Sequence, residues 1–411
     1  MTRSTGVADL PLHGGRVPAW LATRMAALGQ VISEAIVLQY GAEELLRRLA
    51  HPFWFQSMGA VMGMDWHSSG ITTSVVGALK RGLRPLQSEL GIYVCGGRGR
   101  HSRQTPAELQ CVGEQTGLDA TALTRSSRLV AKVDSAAVQD GYELYLHAFV
   151  VSRGGHWCVV QQGMNPLRRE ARRYHWLSEN VGSYLDSPHT AIEGHNRGAL
   201  IVNLAHAQAG RNRQAGLELV AEGPGRTLEV LRHLRGTQNA ALSLFPELDF
   251  SPEASMPYLR MPAHHDVRAS DVELKRLHAV LAVAADRAPK DFTELLMTPG
   301  VGRRTLASLA LVAEVIHGAP ARFSDPARFS MAHGGKDGHP FPVPLKVYDQ
   351  TIRVLSMAVA QSKLGNSDKL FAIQRLDQQA RMLENQVSGP SFHKFIANEK
   401  ADSPRWGGRS V

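Results

Sequence analysis

The stretch that most constrains the fold is Tyr142–Gln162, YELYLHAFVVSRGGHWCVVQQ. Tyr142–Ser152 and His156–Gln162 are β-rich, and Arg153-Gly154-Gly155 separates them. Two such runs around a glycine turn make an antiparallel hairpin. Strict alternation puts Glu143, Tyr145, His147 and Phe149 on one face, with Tyr142, Leu144, Leu146, Ala148 and Val150 on the other. GIYVC (91–95) and RLVAKVD (128–134) read as further strands. The expectation is a mixed sheet of at least four strands within residues 60–165.

Helical patterns surround it. Trp20, Leu21, Met25, Leu28, Val31, Ile32, Ala35 and Ile36 recur at three and four. A second helix over Ala42–Ala50 stops at His51-Pro52, because proline does not continue a helix. The fold class expected is an α/β N-terminal domain followed by an all-α C-terminal region. The divisions expected are 1–175 as an α/β catalytic domain, 176–285 as a helical connection, 286–360 as a DNA-binding unit, and 361–411 as a helix and tail. In that last helix Leu370, Ile373, Leu376, Met382 and Leu383 suit docking or homo-oligomerisation.

Across 411 residues the formal net charge is +9. That surplus favours an acidic partner, nucleic acid first. Cys95, Cys111 and Cys158 are widely spaced and form no CxxC, which argues against a disulfide framework or a cysteine-rich zinc site. Reduced thiols in a cytosolic protein follow. Met1–Gly15 has no secretory apolar core, and no apolar run reaches the roughly 20 residues of a membrane span.

LLMTPGVGRRTL (295–306) is the strongest local motif. It resembles a helix-hairpin-helix, whose turn reads apolar-x-x-Gly-apolar-Gly. Gly300 and Gly302 let the backbone turn tightly and approach a phosphate. The following helix aims its free N–H groups and positive dipole end at that phosphate. Arg303 and Arg304 add charge, and Thr305 offers a hydroxyl. The expected partner is DNA, single- or double-stranded. A glycosylase of this hairpin class would carry a catalytic Asp farther on. Pro344 stands at the expected place, with Asp337 and Asp349 nearby, which weakens that alternative. A non-enzymatic DNA-binding subunit is the third reading.

GMDWHSSGITTSVVGALKRGL (63–83) offers a site beside a helix. Asp65 and His67 point the same way in extended chain, while Ser68 or Ser69 caps a helix from Ile71 to about Gly82. Downstream, Asp134, Asp140, Glu143 and His147 are positioned to join them. Carboxylates and His on sheet edges form the usual hard-cation site for phosphodiester cleavage, so the first reading is a metal-dependent nuclease acting on DNA in repair or nucleic-acid processing. The expectation is a divalent metal, Mg²⁺ or Mn²⁺, held by Asp65, His67, Asp134 and Glu143. Lys132 would steady the phosphorane, and Gln161 would orient phosphate or water. The glycine-rich CGGRGRHSRQTP (95–106) matches neither a P-loop nor GxGxxG. It reads as a mobile basic loop whose Arg98, Arg100 and Arg103 clamp phosphates. His264-His265-Asp266 reads as a polar loop.

TGVADLPLHGG (5–15), MDWHSSGITTSVVGALKRGL (64–83), ELGIYVCGGRGRHSRQTP (89–106), DGYELYLHAF (140–149), WCVVQQGMN (157–165) and PGVGRRTLASLALVAEVIHG (299–318) carry a resemblance. Together they resemble the bacterial and archaeal domain-of-unknown-function family 763, up to about residue 355. The resemblance implies a continuous fold and a prokaryotic cytoplasmic setting, and little chemistry.

Overall fold

The computed structural model describes residues 10–11, 19–62, 64, 70–168, 170–196, 200–240, 274–327, 353 and 357. Asp65, His67, the serines beside them, His264-His265-Asp266, the segment around Asp337 and Pro344, and the helix expected beyond Gln361 lie outside these residues.

The centre is not the mixed sheet expected but an antiparallel one, with strand order β1-β6-β5-β4-β2 and β7 added to β6. Its strands are β1 (Leu10–Pro11), β2 (Ile92–Arg98), β4 (Glu143–Ser152), β5 (Trp157–Asn165), β6 (Glu170–Leu177) and β7 (Ala191–Glu193). The expected hairpin is β4–β5, in register from Val151↔Trp157 to Glu143↔Met164. A smaller sheet joins β3 (Val138–Gln139), β8 (Leu200–Asn203) and β9 (Arg322–Ser324).

One face of the large sheet packs on α1 (Ala19–Tyr40), α2 (Ala42–Ala50), α3 (Pro52–Val61) and α4 (Gly70–Leu83). Ile32, Leu45, Phe55, Val75 and Leu79 meet Val150, Cys158 and Val160 there. The expected stop before Pro52 is a junction: α2 ends at Ala50, Pro52 opens α3, and His51 accepts a hydrogen bond from Trp54 N.

The other face packs on α6 (Arg100–Thr116), α7 (Ala120–Lys132), α8 (Gly210–Ala221), α9 (Pro224–Ala240), α10 (Leu274–Arg287), α11 (Phe292–Met297) and α12 (Arg303–His317). Tyr93, Phe149, Val159 and Trp176 from the sheet share one core with Leu219, Leu295, Leu306 and Leu309 from those helices. The boundary expected at 175/176 falls inside β6, and the segment expected to be a helical connection contains β7 and β8.

Two local readings change. Arg128–Asp134 is helix, not strand. Asp119 caps α7 by accepting from Thr121 N and Ala122 N, and Leu123, Ser127 and Val130 fall on its buried side. A short apolar run cannot distinguish the two periods by itself. The glycine-rich loop is also absorbed: β2 runs through Gly96-Gly97-Arg98, and α6 starts at Arg100.

Candidate functional site

On the face toward α7 the sheet carries a continuous buried hydrogen-bond chain. Ser127 Oγ lies 2.8 Å from His147 Nε2, and His147 Nδ1 lies 2.8 Å from Gln161 Oε1. Gln161 Nε2 donates to Asp134 Oδ2, which also accepts from Trp176 Nε1 at 3.0 Å. His189 Nε2 meets Asp134 Oδ1. The amide orients the whole chain. Its oxygen must accept, so His147 Nδ1 carries a proton and Nε2 accepts from Ser127. Burial pushes the His147 imidazole down to about 4, so it is neutral at physiological pH.

Alternation fails between Glu143 and His147 because the strand bulges there. Leu144 pairs with Gly163 and Leu146 with Gln162, leaving Tyr145 without a place in the register. Tyr145 packs toward the α1–α4 side, whereas His147 bonds to Ser127 of α7. Glu143 is exposed, four residues or about 13 Å along the strand from His147. Asp134 is not at a strand end but in a π-helical turn after α7, fully buried.

Asp140 serves a second network. Its carboxylate accepts from Arg172 Nη1 at 3.0 Å and Tyr174 OH at 2.6 Å. Arg172, buried among carboxylates, also reaches both oxygens of Asp325 and lies over the Tyr142 ring. On the opposite face Arg173 pairs with Glu193 and donates to Gln56 and Thr72, which ties β6 to β7, α3 and α4. Among the described residues, no group of three or more His, Cys, Asp or Glu side chains is placed to hold a metal ion.

Lys132 and Arg303 face inward. Lys132 Nζ donates to Val301 O at 2.6 Å, and burial lowers its pKa. Arg303 donates through Nη2 to Tyr142 O at 2.9 Å and through Nε to Ser135 O at 3.3 Å. Gln139 Nε2 closes the set on Arg303 O at 3.0 Å. These bonds fasten the turn between α11 and α12 to the sheet. Both cations, expected to meet phosphate, hold backbone carbonyls here, and Arg303 also lines the pocket beside α12.

Among the described residues the remaining face of that turn is open. Asp291 caps α11 by accepting from Glu294 N. Gly300 has φ +83°, and a Cβ there would stand 3.1 Å from Val280 Cγ2, so the turn requires glycine. Among the described residues no side chain caps α12. A pocket of about 370 Å³ sits at its first turn, lined by Gly300, Gly302, Arg303, Arg304 and Thr305 and by Arg276 of α10. Arg304 and Arg276 are exposed, whereas Thr305 is buried. Arg98 sits at the end of β2 with its guanidinium 5.9 Å from the Tyr145 ring centre, and Arg100 is exposed at the start of α6.

The chain matches the family model described as "Protein of unknown function (DUF763)" over residues 6–343. It belongs to that family. No curated protein and no solved structure matches the chain. In this DUF763 member the matched span covers both polar networks and the α11–α12 turn.

Sequence reasoning missed Ser127, Trp176, His189, Arg172 and Arg276. One signal was available: Arg172-Arg173 stands within the otherwise uncharged ARRYHWL, and buried guanidiniums need carboxylates. His189 and Arg276 carry no comparable mark. The three cysteines are free; Cys95 and Cys158 are buried and Cys111 is exposed. No described helix is long and apolar enough to cross a membrane.

Proposed function

We propose that this chain binds DNA through its phosphate backbone, with α11, the Thr298–Gly302 turn and α12 acting as a helix-hairpin-helix. The observation that carries this reading is the pocket at the uncapped start of α12, flanked by the exposed Arg304 and Arg276. Free N–H groups and the positive helix end favour a phosphate there, and the two guanidiniums add charge on either side. Lys132, Gln139 and Arg303 hold the turn rigid, so little ordering is required on binding. Contacts of this type position a duplex or strand without reading its sequence. The surplus of +9 agrees with such a partner.

The sheet does not extend this reading to a metal-dependent nuclease. Asp134 is committed to Gln161, Trp176 and His189, Asp140 to Arg172 and Tyr174, and Glu143 lies apart from both. A Mg²⁺ or Mn²⁺ centre would have to be built from Asp65 and His67 with other ligands. The test is fluorescence anisotropy with single- and double-stranded DNA of unrelated sequences at low salt. The same samples, incubated with Mn²⁺ or with EDTA, are run on denaturing gels for cleavage. Binding that is indifferent to sequence and weakened by Arg304→Ala with Arg276→Ala supports the proposal. Absence of binding to every DNA form at low salt refutes it.

A further inference from the structure

A second cleft, of about 770 Å³, runs along the free edge of β2. Among the described residues β2 ends the large sheet and pairs only with β4, so its other edge faces this cleft. The wall on one side is α4, and on the other α6. Alternate residues of an edge strand direct both backbone groups outward. Gly96 shows which ones. Its N–H donates to Glu108 Oε2 at 2.6 Å, and its carbonyl accepts from Lys80 Nζ at 2.7 Å. Lys80 and Glu108 are themselves paired. One donor and one acceptor, held side by side, thus occupy the place of a neighbouring strand. Val94 has the same parity. Among the described residues, nothing pairs with its outward amide and carbonyl.

The walls of the cleft point to what fits. Gly77 lies in the interior of α4 and lines the cleft; a Cβ added there would meet nothing within 4 Å. Glycine is unfavourable within a helix, and no packing contact explains it here. Its effect is to widen the groove beside β2. The rim carries Arg81, Arg84 and Arg98, all exposed. The single carboxylate on the lining, Glu108, is already neutralised by Lys80.

We propose that this cleft is a docking groove for an extended, acidic peptide segment of a partner protein, which adds as a strand to the β2 edge. The backbone separates this occupant from a nucleic acid. A peptide strand presents both a carbonyl and an amide to the outward N–H and C=O of Val94, whereas a sugar-phosphate chain presents acceptors and would leave the Val94 carbonyl unmet. The arginine rim selects for acidic side chains. The Lys80–Glu108 pair closes the groove at Gly96, so the peptide takes its register from Val94.

The experiment measures anisotropy of a fluorescein-labelled peptide of alternating glutamate and valine, with a glutamine-for-glutamate control. The full-length chain is expected to bind the acidic peptide about tenfold or more tightly than the control. Gly77→Leu fills open space and should keep or raise the thermal midpoint while weakening the peptide by a similar factor. Arg84→Glu, an exposed position, should do the same. Equal binding of the two peptides, binding of neither, or unchanged affinity in Gly77→Leu overturns the proposal. It is also overturned if an oligothymidylate, and not the peptide, is lost in Gly77→Leu. None of these outcomes touches α12, so DNA binding there is judged separately.

Discussion

The sheet face around Asp134 and the turn around Gly300 both concentrate polar side chains, and they use them in opposite ways. On the sheet, Ser127, His147, Gln161, Asp134, Trp176 and His189 are bonded to one another inside the protein. At the turn, the inward side is bonded through Lys132 and Arg303, while Arg304 and Arg276 remain in solvent beside an uncapped helix. Residue type alone would rank the sheet as the site, since it has the His and the carboxylates. The partners reverse the ranking. A buried acceptor with all its donors inside contributes to the uniqueness of the fold, while an exposed cation beside free N–H groups can still take a ligand.

The sharpest way to break this comparison is at Asp134. Asp134→Ala leaves donors from Gln161, Trp176 and His189 buried without an acceptor, so a loss of about 3–5 kcal/mol is expected in denaturant unfolding. DNA affinity of the folded fraction should be unchanged. A fully stable Asp134→Ala would remove the structural account of the sheet.

The next effect is pH. His147 has its pKa lowered to about 4 from an ordinary 6.5, chiefly by burial. The unfolded chain therefore binds a proton more readily than the folded one. The stability this group provides is complete above about pH 6.5 and declines as pH falls toward 4, by up to about 3 kcal/mol. His51 and His175 shift in the same direction, also through burial. Unfolding midpoints at neutral pH and near pH 5 measure this; a flat profile, or one that loses this slope only in a variant of some other His, contradicts it.

Smaller effects separate the two sides of the turn. Gly300→Ala adds strain at positive φ and should cost about 1–2 kcal/mol. Arg303→Ala forfeits its bonds to Tyr142 O and Ser135 O, with a cost of similar size. Arg304→Ala should leave stability unchanged, and thermal melts of the neighbouring pair of variants decide the matter. The smallest effect has the opposite sign: Gly77→Ala should stabilise by about 0.5–1 kcal/mol, because nothing obstructs the added methyl.

Long elements were legible in the sequence. The periodicity of α1, the Ala42–Ala50 helix, the glycine-joined hairpin and the helices around Pro299-Gly300-Val301-Gly302 all reappear in the fold. The failures have local causes. Arg128–Asp134 is too short an apolar run to show its period. No residue announces the bulge at Tyr145, yet it moves Glu143 out of step with His147. The segment from 176 was expected to be helical, and so a domain edge was placed where β6 continues to Leu177. At the turn the backbone was readable from its glycines, but the side chains were not. Arg303 and Arg304 are adjacent in sequence, and only the packing of α12 on the sheet gives Arg303 its backbone acceptors while leaving Arg304 exposed.

The most direct measurement is the salt dependence of DNA binding for the wild type, for Arg304→Ala with Arg276→Ala, and for Asp134→Ala. Each phosphate contact contributes about 0.9 to the slope of log affinity against log salt on duplex DNA. Weaker binding and a slope reduced by about 1–2 are expected in the double arginine variant, with the wild-type slope retained in folded Asp134→Ala. A double arginine variant with wild-type affinity and slope, or a loss of binding that follows Asp134 instead, would contradict this expectation.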